Sequence, residues 1–203
     1  MIAVIDYGAG NLQSVVKAFR FIGCDILVTA DKEELKQASA AVLPGVGAFG
    51  DAMNCLKRSD CINPVLDFIE SGKPFLGICL GLQLLFEGSE ETPGVSGLGV
   101  LRGRIIRIPA ETGLKIPHIG WNSLAVKENA GLFKNLEPNP YVYFVHSYYL
   151  KAENPDVVSS TTNYGVEIDA SVQRGNLFAT QFHPEKSGKT GLQMLKNFVS
   201  FVH

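Results

Sequence analysis

The first half of the chain alternates short apolar runs with segments of helical periodicity. The four apolar runs read IAVID, DILVTA, AAVLPG and PFLGI. Asp31 begins the second helical segment, where it can cap the helix while Glu34 completes a capping box. Strands separated by helices favour right-handed βαβ units, so this half predicts a parallel sheet with helices on both faces.

The pattern changes after about Gly97. Apolar and polar residues now alternate in strand-like segments: GVLRGRIIRIP, WNSLAVKE, YVYFVHSYYL and VVSSTTNYGVEIDASVQRGNLFATQFHP. One further helical segment, TGLQMLKNFVSFV, follows them. We therefore expect antiparallel strands to extend the parallel sheet, and residues 1–203 to form a single α/β domain, since no repeat or linker-like composition divides them.

Composition narrows the classes of function. With 203 residues, of which 46% are hydrophobic, the chain can bury a sizeable core. A net charge of -2 without runs of like charge gives no signal for nucleic acid or an anionic membrane surface. The start MIAVIDYGAG lacks a basic region and reads as a strand, and no apolar segment reaches membrane-spanning length, so we expect a cytoplasmic protein.

The four cysteines show neither C-x-x-C spacing nor a neighbouring pair of histidines, which argues against a zinc site or a disulfide framework. We expect Cys24, Cys55 and Cys61 to be small apolar or surface residues. Cys79 is different because it stands between Gly77 and Gly81, where an apolar strand meets a helical segment.

Gly77 to Gly81 has the form G-x-C-x-G, the thiol counterpart of a nucleophile elbow. Such an elbow presents its central side chain at the carboxyl edge of the sheet, where α/β proteins bind ligands. The helix N-terminus favours the thiolate form of Cys79, and the backbone N–H of Leu80 is placed to face an oxyanion. A buried structural cysteine at a glycine-rich strand end is the plain alternative.

A base for this thiol is offered by His183-Pro184-Glu185, at the end of the apolar strand FATQF. By strand periodicity, Glu185 should lie on the same side as His183 and hold one ring nitrogen while the other faces a thiol. Alone, this pattern is more typical of a surface ion pair. Its position on the same predicted sheet edge as the elbow favours a catalytic pair.

G-x-C-x-G followed about a hundred residues later by H-P-E resembles the triad-type (class I) glutamine amidotransferases, and the resemblance spans essentially the whole chain. It implies a flavodoxin-like fold in which Cys79 is the nucleophile, His183 the general base and acid, and Glu185 the residue that orients the histidine. It also implies hydrolysis of L-glutamine through a thioester, with no metal and no cofactor.

The same resemblance assigns further residues to the site. The loop LPGVGAFGDAM would complete the oxyanion hole through Val46 and Gly47, with Gly45 beside the substrate. Many relatives have P-G-G where this chain has Pro44-Gly45-Val46-Gly47, which leaves the resting orientation of the Val46 N–H open. Substrate contacts would come from the side chain of Gln83 and the main chain of Ser147 and Tyr148.

Five stretches most resemble the glutaminase subunits of imidazole glycerol phosphate synthases: IDYGAGNLQSV, LPGVGAFGDAM, IPHIGWN, YFVHSYY and QFHPEKSG. The resemblance implies a (β/α)8-barrel cyclase subunit as heterodimer partner, which receives the ammonia, and a role in histidine biosynthesis. It further implies that ammonia leaves through a face formed by Asn11, Trp121, Tyr143 and Lys186. Because of the unusual oxyanion loop, we expect low glutamine turnover until the partner and its ligand bind.

Three alternatives stay open at this point. The chain could be a noncatalytic interaction subunit of the same fold, or a cysteine hydrolase of the related peptidase-like group, although that group lacks the H-P-E and H-S-Y segments. It could also serve a synthase of pyridoxal phosphate or anthranilate. A dinucleotide site is excluded because YGAGN has Gln13 where the G-x-G-x-x-G pattern needs glycine.

Overall fold

A computed structural model describes residues 1–110, 113–128 and 130–202. Within these ranges the helices are α1 Leu12–Phe21, α2 Lys32–Gln37, α3 Phe49–Arg58, α4 Ile62–Glu70, α5 Leu80–Leu84 and α6 Gly188–Val199. The strands are β1 Ile2–Ile5, β2 Ile26–Thr29, β3 Ala40–Gly45, β4 Phe75–Cys79, β5 Gly103–Arg107, β6 His118–Ser123, β7 Ala125–Val126, β8 Tyr141–His146, β9 Tyr148–Ala152, β10 Val158–Asn163, β11 Glu167–Arg174 and β12 Leu177–Thr180.

The main sheet has the strand order β2-β1-β3-β4-β12-β11-β10-β7, with β9 bridging β11 and β5. From β2 to β12 the neighbouring strands are parallel, and beyond β12 they are antiparallel. The fold class predicted from the sequence is therefore confirmed. β6 and β8 form a separate antiparallel ribbon that the sequence pattern did not distinguish from the main sheet.

Both faces of the parallel strands are covered, which explains their continuously apolar sequences. Residues of α1 and α6 pack on one face, with Phe19 and Phe198 in edge contact. Residues of α2, α3 and α4 pack on the other face around Leu35, Phe49 and Phe68. The two layers hold the carboxyl ends of the central strands in fixed positions.

Two local predictions need correction. Asp31 caps α2 as predicted, because its carboxylate accepts from the backbone N–H groups of Glu33 and Glu34. Glu34 does not complete a capping box: its carboxylate accepts from the Thr29 hydroxyl, whose oxygen in turn accepts from the Asp31 N–H. The predicted helix after the elbow is also shorter, since α5 ends at Leu84.

The register places three strand ends at one edge of the sheet. In the parallel pairs, Gly45 at the end of β3 lies opposite Cys79 at the end of β4, and Thr180 at the end of β12 lies opposite Ile78. No helix in the described part of the chain is long and apolar enough to cross a membrane. Nor do these residues include a group of three or more His, Cys, Asp or Glu side chains arranged to hold a metal ion.

Candidate active site

Cys79 occupies a strained turn between β4 and α5. Its backbone angles are φ 54° and ψ -108°. Residues other than glycine rarely adopt such a positive φ. Gly77 and Gly81 allow the turn to close. A Cβ at Gly77 would lie 2.8 Å from the Gly81 carbonyl oxygen, and one at Gly81 would overlap the Leu43 carbonyl oxygen. The elbow expected from the sequence is therefore formed.

The loop after β3 runs beside this elbow. Gly45 contacts it directly, since a Cβ there would lie 2.8 Å from the Leu80 Cβ and 2.9 Å from the Tyr7 hydroxyl oxygen. Tyr7 also donates a hydrogen bond of 2.9 Å to the Pro44 carbonyl and so anchors the start of the loop. Beyond this point Val46 is 41% exposed and Gly47 has a φ of 100°. The loop is thus held at its base, with Val46 open to solvent.

His183 and Glu185 form a buried pair close to Cys79. The ring Nδ1 lies 2.7 Å from Glu185 Oε1, and the two side chains are 2% and 1% exposed. The predicted reason for this pairing is wrong, because β12 ends at Thr180 and His183 begins a 3-10 turn over Pro184–Lys186. The turn, not strand periodicity, brings Glu185 back to the ring.

The backbone around the histidine is itself anchored. The His183 N–H donates to the Tyr143 carbonyl at 3.0 Å, and the Ser187 hydroxyl donates to the His183 carbonyl at 2.6 Å. The same hydroxyl oxygen accepts from the Tyr143 N–H. The β6–β8 ribbon is therefore bonded directly to the segment that carries His183.

Opposing effects set the charge of His183. Burial lowers its pKa, but interactions with Cys79 and Glu185 more than offset this and raise the pKa from 6.5 to about 9. Such a shift favours a protonated ring held between Cys79 and Glu185. Among the described residues, Nε2 of His183 and Oε2 of Glu185 have no hydrogen-bond partner. That leaves the imidazole N–H free for a reacting group.

A pocket of about 280 Å³ opens beside the thiol. Its walls are Val46, Gly47, Cys79, Leu80, Gln83, Glu91, Pro117, Val145, His146, Ser147 and Tyr148. Small convergent pockets of this kind, with a few polar groups on an apolar lining, are typical of ligand sites. The site can therefore bring a small polar molecule to the sulfur atom.

Comparison with known proteins decides between the families that use such an elbow. A family model described as glutamine amidotransferase class-I matches residues 3–201. This chain belongs to the class-I glutamine amidotransferase family. The resemblance inferred from its motifs is confirmed.

Relatives of this amidotransferase are similar over their full length. The imidazole glycerol phosphate synthase subunit HisH of Methanothermobacter thermautotrophicus is 54% identical, over 100% of this chain and 99% of its own. The protein of the same name from Caldanaerobacter subterraneus is 50% identical, over 100% and 98%. These two relatives carry the name of one subunit of one synthase.

Solved structures show that the fold is shared more widely. A glutamine amidotransferase crystal structure superposes with a TM-score of 0.76 at 20% identity, over 99% of this chain and 98% of that one. The structure of PurLQS from Thermotoga maritima gives a TM-score of 0.77 at 22% identity, over 100% and 98%. At such identities the likeness shows the fold of the amidotransferase alone.

Not all of the residues predicted to contact substrate line the pocket. Gln83, Ser147 and Tyr148 line the pocket of the amidotransferase, as do Val46, Gly47 and Leu80. Gln83 is buried, and its amide nitrogen donates to the Tyr148 carbonyl at 3.1 Å and to Gln181 Oε1 at 3.0 Å. Gly45 lies behind the elbow and is not part of the pocket wall.

Of the four residues predicted at the ammonia exit, Lys186 belongs to the turn Pro184–Lys186, and the Tyr143 carbonyl accepts from His183, just before this turn. Trp121 is 55% exposed and meets Tyr143 edge-on with ring centroids 6.0 Å apart. Lys186 is exposed on the turn itself, and α1, which follows Asn11, contacts the same turn. Asn11 is partly buried and donates its side-chain amide to the Ser14 hydroxyl.

Three polar groups near the site were missed. Glu91 lines the pocket while its Oε2 accepts from the Phe49 N–H at 2.8 Å, which caps α3. Gln181 is fully buried with its amide nitrogen 3.7 Å from Cys79 Sγ. His146 stands next to two predicted substrate residues and bonds His118 at 3.1 Å. Of these three, only Gln181 could have been noticed in the sequence, as a polar residue within the run ATQFHP.

Both of these histidines are held neutral. Burial lowers the pKa of His118 to about 4 and that of His146 to about 3. The ring of His118 stacks between Phe144 and Tyr164, with centroid distances of 4.8 and 3.8 Å. A neutral imidazole pair packed in this way serves as a hydrogen-bonded support for the pocket wall.

Proposed function

We propose that this protein is the glutaminase subunit of imidazole glycerol phosphate synthase in histidine biosynthesis, with residues 1–203 acting as one amidotransferase domain in the cytoplasm. The observation that carries the proposal is the cluster of Cys79, His183 and Glu185 in a class-I amidotransferase. Relatives that match this chain over their full length carry the name of this subunit. L-Glutamine is the substrate, and no cofactor is required.

Catalysis begins with attack of the Cys79 thiolate on the side-chain amide carbon of glutamine. The proton of the thiol has passed to His183, whose positive charge is balanced by Glu185. Negative charge develops on the amide oxygen, where the Leu80 N–H and the loop at Val46 and Gly47 serve as hydrogen-bond donors. A tetrahedral intermediate forms on the sulfur.

Collapse of this intermediate breaks the bond between carbon and nitrogen. His183 gives its proton to the departing nitrogen through Nε2, so ammonia leaves and a γ-glutamyl thioester remains on Cys79. The neutral ring then takes a proton from water, which attacks the thioester. Glutamate is released, and the proton returns to the thiolate and imidazole pair.

The amino-acid end of glutamine is bound by other residues of the pocket wall. The main chain at Ser147 and Tyr148 holds the α-carboxylate, and Gln83 fixes the pocket wall beside it. Glu91 supplies a carboxylate on the same wall, so we assign it to the α-ammonium group. The α-carboxylate and the α-ammonium group carry opposite charges on one carbon atom, so the pocket needs hydrogen-bond donors for the first and a carboxylate for the second.

The ammonia passes to a cyclase subunit with a (β/α)8 barrel, which makes imidazole glycerol phosphate and an aminoimidazole carboxamide ribotide. Asn11, Trp121, Tyr143 and Lys186 form the face toward this partner. The exposed aromatic ring of Trp121 suits an interface, where tryptophan often contributes strongly to binding. Direct transfer keeps ammonia from being protonated in bulk water.

Glutamine turnover with and without the cyclase subunit tests the proposal. We expect slow glutamate release by the protein alone and a large increase when the cyclase and its ligand saturate it, because the Val46 loop then presents its donors. A Cys79→Ala variant should release no glutamate under either condition. Equal rates with and without the partner, or turnover by the alanine variant, would contradict the proposal.

A further inference from the structure

Gln181 contacts the sulfur of Cys79 but has no part in the mechanism above. The residue directly follows β12, is fully buried, and is bonded through its backbone N–H to the Ala170 carbonyl at 2.8 Å. Its side-chain Nε2 lies 3.7 Å from Cys79 Sγ, within the range of a hydrogen bond to sulfur. Cys79 therefore has a second polar neighbour besides His183.

The orientation of the Gln181 amide follows from the Tyr148 carbonyl. A carbonyl oxygen can only accept, so Gln83 must turn its nitrogen toward Tyr148. That nitrogen can only donate, so Gln181 must offer its oxygen to Gln83. The Gln181 nitrogen is then left facing Cys79, and the sulfur is placed to accept.

The Tyr148 carbonyl is in turn fixed by the buried histidines. Nδ1 of His146 lies 2.9 Å from this oxygen and must therefore carry the hydrogen, which leaves Nε2 as the acceptor for Nδ1 of His118. Burial keeps both rings neutral, so this assignment holds across the neutral pH range. The Tyr148 carbonyl thus accepts from both His146 and Gln83. From Gln83 the donors then run through Gln181 to Cys79.

We propose that Gln181 is a further catalytic residue, whose amide N–H donates to Cys79 and stabilises the thiolate that attacks glutamine. The inference rests on the proposed role of Cys79 as nucleophile. A hydrogen bond gains strength when its acceptor becomes charged, so this contact favours thiolate over thiol. The nitrogen to sulfur distance is long, and the expected effect is accordingly about tenfold in the thiol to thiolate equilibrium.

Alkylation of Cys79 by iodoacetamide across a range of pH tests the contact without using glutamine. The rate is followed on the Cys79 peptide by mass spectrometry, which separates it from Cys24, Cys55 and Cys61. Gln181→Leu removes the donor. We expect the pH of half-maximal alkylation to rise by about one, which corresponds to the tenfold change in the equilibrium.

Two further variants separate the hydrogen bond from packing. Gln181→Glu keeps the shape of the side chain and the acceptor for Gln83, but turns a carboxylate oxygen toward the sulfur, so its alkylation profile should move further than that of Gln181→Leu. It also supplies the test if the leucine variant fails to fold. Thr162→Val removes a buried hydroxyl that donates to the Ser123 carbonyl, on strand β10, which is separated from β4 by β12 and β11, and should leave the profile unchanged.

Glutamine hydrolysis measured in parallel distinguishes this inference from the proposed function. An unchanged alkylation profile in folded Gln181→Leu and Gln181→Glu would overturn the role of Gln181, whatever the glutaminase activity of the parent. The proposed function would instead be overturned if the variants shift the profile but the parent never hydrolyses glutamine, even with its cyclase. In that case the contact with Cys79 would stand.

Discussion

At the scale of single residues, the site depends on how Cys79 and Glu185 act on the buried ring of His183. His183 is protonated only because Cys79 and Glu185 outweigh the effect of its burial, which alone would lower its pKa. Because its folded-state pKa lies above the ordinary 6.5, the protonated ring adds stability that is fully present below about pH 6.5. This stability is lost as the pH rises through about 9.

Replacing Glu185 with glutamine should lower the pH range in which His183 loses its proton. The variant lacks one of the charges that raise the His183 pKa, so the alkaline fall in kcat/KM for glutamine should begin at lower pH than in the parent. The parent should also exceed the variant in free energy of unfolding, by an amount that is larger at pH 6 than at pH 10. The whole rise of the His183 pKa from 6.5 to about 9 corresponds to on the order of 3 kcal/mol, and the share lost with Glu185 should be smaller because Cys79 also raises this pKa.

Urea unfolding at the two pH values and pH profiles of glutamine hydrolysis measure both effects. Glu153→Gln is the matched control, because Glu153 pairs with Arg102 at the exposed surface and should show neither change. A difference in unfolding free energy that is the same at pH 6 and pH 10 would show that Glu185 does not act through the charge of His183.

At the scale of elements, the elbow depends on close passage of α5 over β3 and β4. The spacing of Gly77 and Gly81 was enough to predict this turn, because a nucleophile elbow needs small residues at those two positions. The motifs also led us to expect the elbow and the end of FATQF at one sheet edge, but the neighbouring order of β3, β4 and β12 was not predictable in the same way. It follows from contacts between strands far apart in the sequence, which a periodicity does not reveal.

The same limit explains the errors near His183. The pattern of FATQFHPE looks like a strand that continues to Glu185, yet the chain leaves the sheet at Thr180 and enters the turn over Pro184–Lys186. The contact between the two side chains was correctly expected for an incorrect reason. Glu91 was missed because its place in the pocket depends on its bond to the N–H of Phe49, at the start of α3 and far away in the sequence.

Gly81→Ala should disrupt the elbow. Its methyl group would overlap the Leu43 carbonyl oxygen, so the helix must move away from β3 at a cost of about 3 kcal/mol or more. We expect thermal unfolding at markedly lower temperature. We also expect iodoacetamide to lose its preference for Cys79 over the other three cysteines. Gly88→Ala is the control, since its Cβ would lie 3.4 Å from the Val95 carbonyl oxygen, close to ordinary contact. Equal melting temperatures for the two variants would contradict this account.

At the scale of the whole molecule, the β6–β8 ribbon joins the active site to an exposed aromatic surface. On one side it carries Trp121 and Ile119, which are 55% and 58% exposed. Next to Trp121, the backbone of Tyr143 is bonded to the segment of His183, and His146 supports the pocket wall. A partner that binds the ribbon can therefore influence both the base and the substrate site.

Trp121→Ala should weaken binding of the cyclase subunit while the protein alone remains folded. An exposed interface tryptophan is commonly worth about 2 kcal/mol, so the Kd measured by calorimetry should rise by a factor of roughly ten to a hundred. Phe21→Ala removes another exposed aromatic ring, from the end of α1, and should leave the Kd unchanged. Similar Kd values for Trp121→Ala and the parent would place the partner elsewhere.

The most direct test of the central claim is the mass of the intact protein after acid quenching of a reaction with L-glutamine and the saturated cyclase subunit. We predict a fraction of molecules heavier by one γ-glutamyl group, located on Cys79 by peptide mapping and removed by hydroxylamine as a thioester. Cys79→Ala should show no such adduct. Glutamate release with no adduct at Cys79, or an adduct on another residue, would contradict the account.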